Sequence, residues 1–130
     1  MRKLITVLAG AVAVVLGAAT TPAAAHHSAA QFDFANRVLL EGEVVRVRFA
    51  NPHMLLVLDV TDEKRGTREI EFEGHSRNNM FRQGFRPDMF GVGDKITILI
   101  APMRNGEDGG YITALRTPDG TDIGNITSAD

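Results

Sequence analysis

Apolar and polar positions alternate with a period of two along much of the chain, a pattern typical of β-strands. The longest run, Val38–His53, predicts a long first strand that ends in the corner Asn51-Pro52-His53. Apolar side chains before Gly42 lie on one face of this strand, and those from Val45 onward lie on the other. Because glycine inside a strand often marks a bulge, the pattern predicts a bend at Gly42. The alternative is a straight edge strand, both faces of which are solvent-exposed at one end.

Four further strands and one helix follow this corner. They are strand two (Met54–Val60), strand three (Arg68–Gly74), a short helix capped by Ser76 and running through Gln83, strand four (Lys95–Ala101) and strand five (Tyr111–Thr117). This element order, with a bent first strand, is that of an oligonucleotide/oligosaccharide-binding (OB) barrel. The predicted fold is therefore mainly β, a small five-stranded OB-like barrel with one short helix between strands three and four. An open α+β sandwich is the alternative.

The start of the chain has the pattern of a secretory signal peptide. The basic pair Arg2-Lys3 precedes an apolar run, Leu4–Ala19, and the small residues Ala23–Ala25 follow. The run is shorter than the roughly 20 apolar residues that a membrane span needs. We therefore expect cleavage after Ala25, with His26 as the mature N-terminus and a periplasmic or secreted location. The alternative is an uncleaved membrane anchor.

Removal of residues 1–25 leaves 105 of the 130 residues, which is enough for one small domain. We divide it into an N-terminal extended segment (26–37), the barrel domain (38–120) and a polar tail (121–130) that we expect to fray. The alternating apolar residues of the extended segment, Phe32 among them, predict a clip or extra strand against the barrel. No second long apolar run follows, so we expect no membrane span after cleavage.

Composition argues against several classes of function. Cleavage removes Arg2 and Lys3 but no acid, so the mature chain has 12 basic and 16 acidic residues and a formal charge of −4. Nucleic acids and anionic lipid surfaces select basic proteins, so we expect neither as a partner. The chain has no cysteine and no GxSxG motif, and Asp33, Asp59 and Asp94 have no predictable histidine partner. We therefore do not expect an enzyme.

Four short motifs occur in a fixed order along the chain: His26-His27-Ser28, Asn51-Pro52-His53, Gly91–Asp94 and Thr117–Gly120. Together they resemble a family of small exported bacterial proteins of unknown function, and the resemblance covers essentially the whole mature chain. The resemblance implies a single secreted or periplasmic domain, and it implies no established activity.

The residues best suited to chemistry are the four histidines, His26, His27, His53 and His75. In an antiparallel meander, the corner after strand one and the end of strand three lie on the same edge, with neighbouring strands about 4.8 Å apart. We therefore expect His53 and His75 within roughly 5–10 Å of each other, close enough to share a metal ion. Imidazole is a good ligand for copper and zinc.

His26 adds a chelate, because the free α-amino group and the imidazole of one N-terminal histidine can bind the same metal ion. An imidazole from elsewhere would complete a planar, nitrogen-rich site, which favours Cu(II). The 12 residues before strand one span at most about 40 Å, so the terminus can reach His53. Cleavage one residue earlier would instead make His27 the third residue, which also binds Cu(II). Copper is thus the candidate cofactor, and the alternative is a chain without a cofactor.

Each candidate residue also has an ordinary structural interpretation. Asn51 and Pro52 are good turn residues, and His53 would then only hydrogen-bond within the corner. His75 would be a loop residue, His26-His27 a solvated chain end, and the glutamates of strand three a solvated acidic stripe. The two functional hypotheses are therefore an exported protein that binds copper and a metal-free envelope module that binds a protein or a small ligand.

Overall fold

The structure is a computed structural model that describes residues 29–127. The predicted signal peptide, His26 and His27 lie outside the described residues. Within residues 29–127, no helix is long and apolar enough to cross a membrane.

Residues 29–127 form six named strands and one short named helix. They are β1 (Val38–Arg48), β2 (Leu55–Asp62), β3 (Gly66–Glu73), α1 (Arg77–Arg82), β4 (Lys95–Pro102), β5 (Gly110–Arg116) and β6 (Asp122–Ile123). The sheet order is β3-β2-β1-β4-β5-β6, with antiparallel neighbours. A parallel pair between Glu73 and Tyr111 joins β3 to β5 and closes a barrel of five strands. The prediction of a mainly β, five-stranded OB-like barrel with one helix between β3 and β4 is confirmed.

The bend of β1 is a bulge that lies three residues beyond the predicted position. The pairing of β1 with β2 shifts register between Val44 and Arg46, which leaves Val45 as the extra residue and explains the change of phase. The prediction of the bend at Gly42 is therefore wrong in position. Glycine is needed there because an added Cβ would lie 2.9 Å from the Asp59 carbonyl oxygen on β2.

The barrel interior is filled by the inward side chains of its strands, as the alternation predicts. On β3 and β4 the predicted inward residues are all buried: Ile70, Phe72, Ile96, Ile98 and Ile100. This apolar core, with the closed strand pairing, holds the strand ends and the loops between them in fixed positions.

Helix α1 closes one end of the barrel. The Asn79 backbone N–H donates to Ser76 Oγ over 3.2 Å, so Ser76 is the predicted N-cap. Met80 on the helix and Phe85 just beyond it are buried in the core cluster. The cap matters for the site, because it fixes the chain immediately after His75.

The C-terminal residues differ from the predicted fraying tail. Asp122 and Ile123 form β6 on the edge of β5, and the side chains of Ile123 and Ile126 are buried. The prediction of a fraying tail is therefore wrong for residues 122–126, because two isoleucines in an otherwise polar stretch are enough to dock it on the barrel.

Candidate functional site

Two loops meet at the end of the barrel where β1 and β3 finish. The Met54 N–H donates to the His75 carbonyl oxygen (3.1 Å), and the Gly74 N–H donates to the Met54 carbonyl oxygen (3.0 Å). The Arg77 N–H donates to the Ala50 carbonyl oxygen (3.0 Å), which ties the start of α1 to the same corner. These backbone bonds hold the His53 corner against the His75 loop.

The corner before β2 contains Asn51 and Pro52, which the sequence indicated as turn residues beside the candidate ligand His53. The peptide bond between Asn51 and Pro52 is cis, and Asn51 Oδ1 accepts a hydrogen bond from the Asn78 N–H over 3.4 Å. Both Asn51 and Pro52 are exposed. They shape the loop that presents His53.

The imidazole of His53 lies against two oxygen atoms. Its Nδ1 hydrogen-bonds to the Gly74 carbonyl oxygen over 3.2 Å and lies 3.1 Å from Glu73 Oε1. A carbonyl oxygen only accepts hydrogen bonds, so Nδ1 carries the proton and donates it to Gly74. In the neutral ring the lone pair is therefore on Nε2. The His53 side chain is 39% exposed, so solutes have access to this residue.

The imidazole of His75 is held by a tyrosine. His75 Nδ1 lies 3.1 Å from the Tyr111 hydroxyl, and the two rings pack edge to face with centroids 5.3 Å apart. The ring of His53 packs edge to face on the same tyrosine at 6.3 Å. Tyr111 therefore contacts both histidines, which places His53 and His75 at the same edge of the barrel.

Burial and charge shift the pKa values of His75 and Tyr111 in favour of their neutral forms. Burial, and then the charge on His53, lower the pKa of His75 below its usual value, which keeps the imidazole in the form that binds metals. Burial, and then the charge of Glu73, raise the pKa of the Tyr111 hydroxyl. Tyr111 therefore stays a neutral phenol that can hydrogen-bond to His75.

An N-terminal strap, defined here as residues 29–36, lies against the same cluster. The Asp33 N–H donates to the Pro102 carbonyl oxygen (2.8 Å), and the Arg104 N–H donates to the Gln31 carbonyl oxygen (2.9 Å). The rings of Phe32 and Phe34 lie 5.5 and 5.6 Å from the ring of Tyr111. The predicted clip against the barrel is thus present, and it docks beside the two histidines.

The described part of the chain supplies an incomplete metal site. Among residues 29–127, no three His, Cys, Asp or Glu side chains lie close enough to hold a metal ion together. His53 and His75 offer two imidazoles, and the Glu73 carboxylate lies beside His53 Nδ1 at 3.1 Å. The other two predicted ligands, His26 and His27, lie outside the described residues. A complete metal site at this edge needs a further ligand, supplied either by a residue outside 29–127 or by solvent.

Sequence reasoning missed two residues of this cluster. Glu73 was assigned to a solvated acidic stripe, and Tyr111 only to the start of a strand. The signal that could have found them is the OB-type element order itself, because barrel closure pairs the end of β3 with the start of β5. Tyr111 is also the single tyrosine of the chain.

Comparison with known proteins gives a family and no activity. Residues 13–113 match the family described as "Family of unknown function (DUF6152)". No curated protein matches the sequence. The predicted resemblance to a small family of unknown function is confirmed.

Proposed function

The chain belongs to the family of unknown function DUF6152, and we propose that it is an exported protein that binds Cu(II) through His53, His75 and the N-terminal His26. The proposed role is binding rather than catalysis. In this role the barrel is a rigid scaffold, and its function is carried by the edge where the two histidine loops meet.

The observation that carries the proposal is the hydrogen bonding of His53. Histidines that bind metals commonly donate the other ring N–H to a carboxylate or a backbone carbonyl, which fixes the tautomer and raises the basicity of the ligand nitrogen. His53 donates Nδ1–H to the Gly74 carbonyl, and the Glu73 carboxylate lies 3.1 Å from the same nitrogen. Its Nε2 is left with a lone pair on a side chain that remains partly exposed.

The third ligand is proposed from the expected processing of the chain. Cleavage after Ala25 gives His26 a free amino group, which chelates a metal together with its own imidazole. From His26 to Ala29 the chain spans at most about 10 Å, and Ala29 begins the strap that packs on Tyr111. His27 is the alternative imidazole in this segment. A set of imidazole and amine nitrogens favours Cu(II) over harder cations.

The test is a Cu(II) titration of an untagged chain that begins at His26. The sequence has one tyrosine and no tryptophan, so its intrinsic fluorescence reports on Tyr111 alone, and Cu(II) bound nearby quenches it. We expect submicromolar, one-to-one quenching that is weakened by acetylation of the N-terminus. Binding no tighter than that of a free His-His dipeptide contradicts the proposal.

Replacing Glu73 with glutamine is expected to weaken Cu(II) binding about tenfold. Loss of an outer carboxylate partner typically costs about 10- to 100-fold in metal affinity, and the lower end applies because the Gly74 carbonyl still accepts the Nδ1 proton. The Cu(II) titration followed by Tyr111 fluorescence measures this loss of affinity. Glu69→Gln is the matched control, since it removes the same charge from an exposed position on the same strand. If the two substitutions weaken Cu(II) binding equally, Glu73 acts only through its negative charge and not through its position beside His53.

A second candidate function, binding of a small ligand without metal, is favoured by a cleft elsewhere on the barrel. The cleft has a volume of about 300 Å³ and an apolar floor that includes Leu40, Ile70 and Phe72. Its rim carries an ion-pair cluster in which Arg68 contacts both Asp62 and Asp108. The Cu(II) titration separates the two candidates, because none of the described residues that line this cleft is a histidine.

A further inference from the structure

The cleft with the apolar floor, called here the mouth cleft, opens at a different part of the barrel from α1. It lies between the start of β1, the ends of β2 and β4 and the loop before β5. Phe85, just beyond α1, packs instead on Phe49, which follows the end of β1. The floor is made of side chains that belong to the barrel core or pack against it: Leu40, Val60, Ile70, Phe72 and Ile100. Core side chains therefore form the floor of a cleft that solvent can enter.

One wall of the mouth cleft is an exposed apolar side chain. Val38 stands at the first position of β1, opposite Ile100 on β4, and is 43% exposed. Its neighbour Leu39 is 47% exposed but pairs with Leu99, which belongs to a separate apolar cluster. Successive side chains of a strand point to opposite faces, so Val38 faces the cleft and Leu39 faces away from it.

The charged rim of the mouth cleft is neutralised by its own ion pairs. Arg68 Nη1 lies 2.6 Å from Asp62 Oδ2, and Arg68 Nε lies 3.1 Å from Asp108 Oδ2. Arg65 contacts the same two carboxylates, at 3.5 Å from Asp62 and 2.9 Å from Asp108. Hydrogen bonds from Arg68 lower the pKa of both carboxyls, that of Asp62 to about 2, so both are ionised at neutral pH. Two positive and two negative groups thus form a closed ring of pairs.

This charge balance disfavours a charged ligand. A charge that moves onto an apolar floor loses hydration, and that loss is costly unless a partner compensates it. The arginines of the rim already have carboxylate partners, so they offer no unpaired charge to an anion. Glu107 also lines the cleft, but it is exposed, and water screens its attraction for a cation. The lining therefore favours a molecule without charge.

We propose that the mouth cleft binds a small, uncharged, mainly apolar molecule with one or two rings. Its volume of about 300 Å³ is at the lower end for ligand pockets. A dry apolar cavity of about 150 Å³ holds one benzene ring, so twice that volume suits one ring or two fused rings. The inference is independent of copper binding. It rests on the second candidate function, binding of a small ligand, and deepens it by naming the class of ligand.

Titration of the chain that begins at His26 with indole, followed by methyl NMR, tests the proposal. We expect saturable binding with a dissociation constant of about 0.1–1 mM, as is usual for so small a ligand, and shifts at the methyl groups of Val38, Leu40 and Ile100. Val38→Phe places a ring in the cleft and should weaken indole binding at least about fivefold. Leu39→Phe is the matched control, because it adds the same ring at an equally exposed neighbour that faces away. Its indole affinity should equal that of the unaltered chain.

Indole-3-carboxylate and tryptamine test the class of ligand, because they carry the same rings with a negative and a positive charge. We expect each to bind at least about fivefold more weakly than indole. The inference is overturned if Val38→Phe and Leu39→Phe bind indole equally, or if either charged probe binds as tightly as indole. Saturable binding of a charged probe alone would leave the small-ligand function standing and remove only the inferred class. If none of the three probes saturates, both are contradicted, whatever the Cu(II) titration gives.

Discussion

If the chain binds Cu(II) as proposed, replacing His53 with alanine is expected to lower the affinity for Cu(II) by about two orders of magnitude. A four-ligand protein site binds its metal with about 10–16 kcal/mol, so each ligand contributes about 3 kcal/mol, and each 1.4 kcal/mol is a factor of ten. The loss is larger than that for Glu73→Gln, because the substitution removes the ligand nitrogen and not only the group that orients it. Quenching of Tyr111 fluorescence measures the change.

The fold itself should tolerate this substitution, because the His53 side chain is partly exposed and the corner is held by backbone hydrogen bonds. Asn78→Ala is the control for local disturbance of the corner. Its side chain is exposed, it carries no ligand atom, and its backbone N–H remains available to Asn51. Unchanged Cu(II) affinity in His53→Ala would place any copper site away from this edge.

Replacing Phe85 with alanine lowers the free energy of unfolding by about 3–5 kcal/mol. The ring is fully buried at the end of the barrel that α1 closes, where it packs against Phe49 at 4.5 Å and Phe90 at 5.6 Å. Its removal leaves a cavity that the rigid strand ends cannot fill. Since small domains are stable by only about 5–15 kcal/mol, much of the stability is lost. Equilibrium unfolding in urea measures the effect.

Phe81→Ala provides the comparison for this prediction. Phe81 stacks on Phe85 at 6.4 Å but is only partly buried, so its truncation should cost about 1–2 kcal/mol. If both substitutions shift the urea midpoint equally, Phe85 is not the residue that seals the barrel. A folded Phe85→Ala variant should also bind Cu(II) less tightly, because α1 positions the loop that contains His75.

The strands and the helix were predictable because each depends on neighbours in sequence. The period-two alternation placed Ile70 and Phe72 on the inner face of β3, and both are buried. Ser76 was predicted to cap α1 from its residue type and position alone, and its Oγ accepts the expected hydrogen bond. The bend of β1 was misplaced, because the position of a bulge depends on which residues of β2 lie opposite, and that register is a contact between strands.

The candidate site was predictable only in part, for the same reason. Antiparallel topology brought His53 and His75 to one edge, but it did not reveal what holds their rings. Glu73 alternates with inward residues like any solvated glutamate, and its role follows from the orientation of the His53 corner. Tyr111 reaches His75 because β3 and β5 pair to close the barrel, and local patterns do not record such a pairing.

By itself the sequence determined the five barrel strands, the short helix, the OB-like element order and the presence of histidines at loop positions, because these properties follow from side-chain periodicity and turn chemistry. The tertiary structure alone decided the tautomer of His53, the partner of His75 and the docking of the strap on Tyr111. The contacts of the two histidines join residues 21 and 36 positions apart. Such contacts form only when the barrel closes and its core fixes the loops, so the chemistry of this edge is a property of the folded chain.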